Sequence, residues 1–289
     1  VADVNLRPRF TLAFDRILAV SSASRANFKL LSGTSGNLTF LEPRTDPVER
    51  TIVFTMAPSV PALLPNTEYR LVVEDSGRPA DRLAAFDGAA FAGRAVIRFT
   101  TGTDETADLD PDPTPVDPCG VASLLRRSCA EGACHAGASP VLGLSLDGDD
   151  AIAATAVDRG AVLVQRASEP SGTGEAASPF PYGLPRIARG VSGRSFVLFK
   201  ALMHAQTSDA RTALELGARV PGGPMPPASS RSRPLSSAEV RALRRWIDGG
   251  ARPCSSDLAP PGDAGTRDAT PDVAAEAARD AGVDAIGGD

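Results

Sequence analysis

The sequence predicts two domains, an all-β sandwich followed by an all-α domain, with an acidic linker between them and an acidic tail behind. Three observations carry this. Residues 5–101 read as short apolar runs separated by turn residues, residues 103–118 are acidic and proline-rich, and residues 119–254 place apolar side chains at helical spacing. The 289 residues, 42% of them hydrophobic, hold enough apolar material for two domains of ordinary size. The boundaries fall at 1–101, 102–118, 119–254 and 255–289.

In the first part, candidate strands lie at 9–14, 28–31, 37–40, 51–55, 69–73 and 95–100, rich in Val, Ile, Phe and Thr. The segment Leu64-Pro65-Asn66-Thr67-Glu68-Tyr69 has the form of a tyrosine corner, in which a Tyr hydroxyl bonds back to backbone a few residues upstream. It is also consistent with a plain strand-start tyrosine. With the closing Phe99-Thr100-Thr101-Gly102, this part resembles the bacterial Ig-like domains of S-layer and other exported surface proteins. The resemblance implies a spacer or docking role.

The linker is expected to be extended and semi-rigid, because Pro111, Pro113, Pro115 and Pro118 are closely spaced. The tail, dominated by Ala, Asp, Gly and Pro, has no apolar periodicity to bury and is expected to be disordered. Residues 102–118 hold six acids and no bases, and the tail eight acids against two arginines, whereas 119–254 carries 16 bases and 11 acids. That excess is small and scattered, without interleaved aromatics, so no nucleic-acid partner is expected. No apolar run approaches the length of a transmembrane segment.

Three helices are expected in the second part. Residues 120–128 put Val121, Leu124 and Leu125 on one face; 195–205 is an apolar run opened by a serine; and 236–249 has Ser236 and Glu239 as a capping box, Val240, Leu243, Trp246 and Ile247 as the buried stripe, and Gly249-Gly250 as the stop.

The segment Cys129-Ala130-Glu131-Gly132-Ala133-Cys134-His135 has the order Cys, spacer, Cys, His of covalent haem attachment, in which each thiol adds to a vinyl group and the histidine ligates the iron. The usual spacer is two residues and here it is four. Three plainer readings stand beside it: a small Cys129–Cys134 disulfide, free thiols, or a zinc site shared with Cys119. Zinc is disfavoured, since adjacent Cys134 and His135 would both have to bend toward one ion. Met225, flanked by prolines in Pro221-Gly222-Gly223-Pro224-Met225-Pro226-Pro227, is presented from a stiff loop and suits the iron's other face. His204, on the apolar helix, reads as a core histidine. Arg186 and Arg189 are candidates for the haem carboxylates, although such arginines are more often solvated.

With those residues in view, 119–252 resembles the planctomycete-type cytochrome c domain in the phrases CHAGASPVLGLSLDG (134–148), PRIARGVSGRSFVLFKAL (185–202), MPP (225–227) and SSAEVRALRRWIDGGA (236–251). The resemblance implies one covalent haem c, with Cys129 and Cys134 as thioether sites, His135 as proximal and Met225 as distal ligand. The long spacer departs from that pattern. Cys119 and Cys254 stand at the two ends of this part. If its first and last helices pack together they approach, and a bridge there would contribute about 4 to 5 kcal/mol by closing a long loop. Both cysteine pairs imply an oxidising compartment, periplasm or cell surface, with an export signal expected upstream of Val1.

The function expected is that of an exported single-haem c-type cytochrome in electron transfer or redox sensing; a His/Met iron leaves no position open for substrate, which argues against an oxygenase or peroxidase. Its partner would be a redox protein or an exported dehydrogenase; the chain has no dinucleotide-binding glycine fingerprint of its own. The alternative is a haem-less surface interaction module.

Overall fold

A computed structural model describes residues 1–33, 37–39, 41–56, 59–78, 82–106, 116–130, 134–162, 184–204, 210–217, 219–227 and 229–254. Most of the linker and all of the tail lie outside these residues.

Seven strands, β1 (Phe10–Ala13), β2 (Phe28–Ser32), β3 (Asn37–Thr39), β4 (Glu42–Asp46), β5 (Thr51–Thr55), β6 (Glu68–Glu74) and β7 (Arg94–Thr100), form two antiparallel sheets. Their orders are β1-β5-β4 and β3-β2-β6-β7. Register follows the alternation of apolar residues: Phe28 pairs with Val73 and Leu30 with Leu71 in one sheet, and Leu12 with Ile52 in the other. The buried faces meet through Phe28 and Phe54, whose ring centroids are 4.8 Å apart. The Tyr69 hydroxyl accepts from the Leu64 N–H at 2.9 Å, as the corner motif requires.

Five helices follow among the described residues: α1 (Pro118–Cys129), α2 (Asp149–Thr155), α3 (Phe196–Leu202), α4 (Ala210–Gly217) and α5 (Ser237–Asp248). Asp117 caps α1, accepting from the N–H groups of Cys119 and Gly120, both at 2.9 Å. The Ser236–Glu239 capping box opens α5, and Val240, Leu243, Trp246 and Ile247 are buried as its spacing predicts. Helices α1 and α5 pack together, and Cys119 and Cys254 are joined in a disulfide with Cα atoms 4.6 Å apart.

The expected architecture of an all-β domain followed by a separate all-α domain is not what forms. Residues Val1–Cys254 make one compact unit. The physical reason is that the β half lends side chains to the helical core: Ile17 and Phe86 are buried in the same cluster as Leu125, Phe199 and Leu243, and the rings of Phe86 and Phe199 stack at 5.6 Å. A second contact joins β4 to the turn at Ser192–Arg194, where a Cβ on Gly193 would collide with the Thr45 backbone, so only glycine fits. Beside it Arg244 on α5 reaches Asp46 on β4 at 3.4 Å and Asp248 at 3.5 Å. Nor is the second half all-α. Its helices are short, and β-bridges pair Val157 with Ile187 and Gly160 with Pro185. No helix among the described residues is long and apolar enough to cross a membrane.

Candidate functional site

Helix α1 ends at Cys129, with Ala130 as its C-cap. The spacer residues 131–133 lie outside the described residues. Beyond them the chain folds back on the helix end: the His135 N–H donates to the Cys129 carbonyl at 3.3 Å, and the Leu146 N–H donates to the His135 carbonyl at 2.8 Å. Between these points Leu142 and Gly143 both adopt left-handed backbone, with φ of 54° and 65°, which turns the loop so that the Leu144 carbonyl lies 3.2 Å from His135 Nδ1. A carbonyl there makes Nδ1 the protonated nitrogen and leaves Nε2 with its lone pair, the form in which imidazole binds metals. Burial lowers the pKa of His135 below its ordinary value, with the Arg186 charge acting in the same direction and the Leu144 hydrogen bond opposing it.

Arg186 holds that loop. Its guanidinium donates to the carbonyls of Leu142 at 2.6 Å, Gly143 at 2.9 Å and Thr155 at 2.5 Å. Three carbonyls on one fork fix the left-handed turn that sets the Leu144 oxygen. Arg189, by contrast, pairs with Asp158 at 3.1 Å and with the Gly250 carbonyl at 3.2 Å.

Met225 is carried on an arm anchored to α3. The Met225 N–H donates to the Lys200 carbonyl at 3.2 Å, Lys200 Nζ donates to the Pro221 carbonyl at 3.0 Å, and His204 Nε2 donates to the Pro226 carbonyl at 2.6 Å. The last of these assigns His204 to support of the arm.

Cys129, Cys134, His135 and Met225 line one open-mouthed cavity, with about 80 Å³ of enclosed space, together with Leu142, Leu144, Leu146, Phe196 and Val197. Cys129 and Cys134 are not bridged to each other, and burial, with Cys134 alongside, pushes the Cys129 thiol up to about 12, so it is uncharged at neutral pH. Ser128, whose hydroxyl is fully buried and without a hydrogen-bond partner, Lys200 and Arg186 also line the cavity. Among its described lining residues there is no acid. Two thiols, one imidazole with Nε2 available, one thioether and an apolar wall form a donor set that fits a haem.

The zinc reading does not fit, because Cys119 is committed to its disulfide and no cluster of three His, Cys, Asp or Glu exists among the described residues. Sequence reasoning passed over Lys200. Its signal was a charge inside the apolar run SFVLFKALM, four residues after Phe196, whose ring lies 5.6 Å from Nζ.

No protein-family model matches the chain, and no curated protein matches it. Among solved structures, the N-terminal part of the bacterial S-layer protein SbsC is similar at 16% identity, over 35% of this chain and 22% of that one, with a TM-score of 0.26. At that TM-score the likeness carries no argument.

Proposed function

We propose that the chain binds one haem c, attached through Cys129 and Cys134 and ligated by His135 and Met225, and that it serves electron transfer or redox sensing. What supports this reading is that four residues drawn from positions 129 to 225 line a single cavity, with the imidazole already in the tautomer that ligates metal. When bound, haem iron supplies reversible one-electron exchange. The residues of this chain supply the rest. Leu144 orients His135, Lys200 and His204 hold the methionine arm, and Leu146 and Phe196 would shield the bound group from water. With both His135 and Met225 holding the group, no position would be left for a substrate, which would favour a carrier or sensor over an oxygenase or peroxidase. The Cys119–Cys254 disulfide supports an oxidising location, periplasm or cell surface, where the partner would be another redox protein or an exported dehydrogenase.

The test is expression with an export signal and a c-haem maturation system, followed by oxidised and dithionite-reduced spectra and haem staining of the denatured polypeptide. Sharp reduced bands and a stained chain are expected, and Met225→Ala should lose the methionine–iron charge-transfer band. A colourless protein with all four cysteines oxidised would overturn the reading.

A further inference from the structure

Lys200 is 3% exposed, yet no carboxylate among the described residues pairs with it. Its ammonium has three hydrogens. The Pro221 carbonyl takes one, and the Phe196 ring face lies 5.6 Å from the nitrogen. Lys200 is a lining residue of the cavity, and its buried ammonium has two hydrogens beyond the one given to Pro221, an arrangement that costs stability unless an anion completes it. Arg186, in the same cavity, also has only carbonyl partners. A second buried donor, the Ser128 hydroxyl, is wholly without a partner. A cavity built only to bury apolar surface would hold none of these groups. One that receives a large apolar ligand carrying anionic substituents needs them.

We propose that Lys200 is a carboxylate-recognition residue: the buried ammonium pairs with a carboxylate of the ligand, which, on the haem reading this rests on, is a propionate. Burial makes the pair strong, because ammonium and carboxylate meet out of bulk water with a charge-assisted hydrogen bond. Lys200 then has two roles. Its backbone carbonyl and one ammonium hydrogen position the methionine arm, and its charge selects a ligand with acid groups.

The experiment titrates the full chain, with Cys119–Cys254 intact and the other two thiols reduced, with ferric protoporphyrin IX and with its dimethyl ester, following the Soret band. The wild-type chain should bind the diacid about tenfold or more tightly than the ester. Lys200→Gln removes the charge while keeping a polar side chain; it should bring the ratio of diacid to ester affinity close to one, whatever its effect on the two affinities in absolute terms. Lys200→Met serves as the second variant, and circular dichroism reports whether each is folded. A preference for the diacid that survives in a folded charge-free variant overturns the assignment, as does a wild-type chain that does not distinguish the two porphyrins. Both of those outcomes leave the haem reading standing. If neither porphyrin binds, the haem reading fails and this inference fails with it.

Discussion

On one side of the cavity the positioning of His135 is local: the imidazole meets a carbonyl nine residues further on, and the loop between them is closed onto the end of the helix that precedes it. On the other side Met225 has no helix of its own. Its arm is tied to α3 through Lys200 and to the turn after α3 through His204, and it is steadied at its start by Arg219, which donates to the Asp87 carbonyl of the β half at 2.6 Å. The histidine wall is thus built from one stretch of chain with a single distant support, Arg186, and the methionine wall from three stretches. A short local loop tolerates changes elsewhere in the molecule, whereas an arm held at long range depends on the rest of the unit being folded. Disturbing either wall by itself therefore tests the comparison.

The largest effect is expected from the disulfide. Cys119 opens the helix that leads to the histidine wall, and its bond to Cys254 closes a separation of 135 residues. A Cys119→Ser/Cys254→Ser chain should lose about 4 to 5 kcal/mol, read from urea unfolding. A loss below about 1 kcal/mol would mean that the α1–α5 packing needs no staple.

Next is Phe86→Ala, which removes a buried ring from beneath α3. The expected loss is about 3 to 4 kcal/mol, in a single unfolding transition followed alike by the far-ultraviolet signal and by Trp246 fluorescence. Two separated transitions, with only the helical one moved, would show that the halves fold independently and would break the long-range account of the methionine wall.

The reach of the sequence differs between these two regions in a way the same contacts explain. The Tyr69 corner, the Ser236–Glu239 box and the α5 stripe were legible because each is complete within a few residues of itself. The Cys/His run stood out for the same reason, and Met225 because its flanking prolines marked a stiff loop; the structure brings these residues to one cavity. Strand β4 was not, since Glu42-Pro43-Arg44-Thr45-Asp46 is polar and carries a proline. It becomes a strand only because β5 offers it an edge to pair with. Phe86 and Ile17 read as ordinary apolar residues of a β half, and nothing in their neighbourhood announces a partner more than a hundred residues away. The expectation of two domains failed there. Arg186 was weighed only as a partner for haem carboxylates, because bonds to three backbone carbonyls leave no trace in side-chain identity.

The histidine wall can be loosened alone by Arg186→Met. The hydrogen bonds lost are charge-assisted but partly exposed, so a loss of about 1 to 3 kcal/mol is expected. In haem-loaded protein the methionine–iron band should persist in this variant. The mirror experiment is His204→Phe. It removes one hydrogen bond from the methionine arm, costs about 1 kcal/mol, and should weaken the methionine–iron band while the histidine side stays in place. If each variant disturbed both ligands equally, the two walls would not be separable.

The smallest effect concerns acid. Glu239 on α5 accepts from Arg127 on α1 at 2.8 Å and from Arg233 at 2.6 Å, and it closes the capping box with Ser236. Partial burial opposes its ionisation, but the bonds from Arg233, Ser236 and Arg127 outweigh that and hold its carboxyl at about 2, below the ordinary 4.5. Since the folded value is the lower one, the contribution of the carboxylate to stability is complete above about pH 5 and lost as the pH falls toward 2. Glu239→Gln, which keeps the cap and removes the charge, should be less stable than wild type by about 1 kcal/mol at neutral pH, with the gap closing between about pH 5 and pH 2. Because Arg127 lies on the helix that ends at Cys129, the acid-induced loss belongs to the histidine wall. A gap that stayed constant across that pH range would place the acid sensitivity elsewhere in the unit.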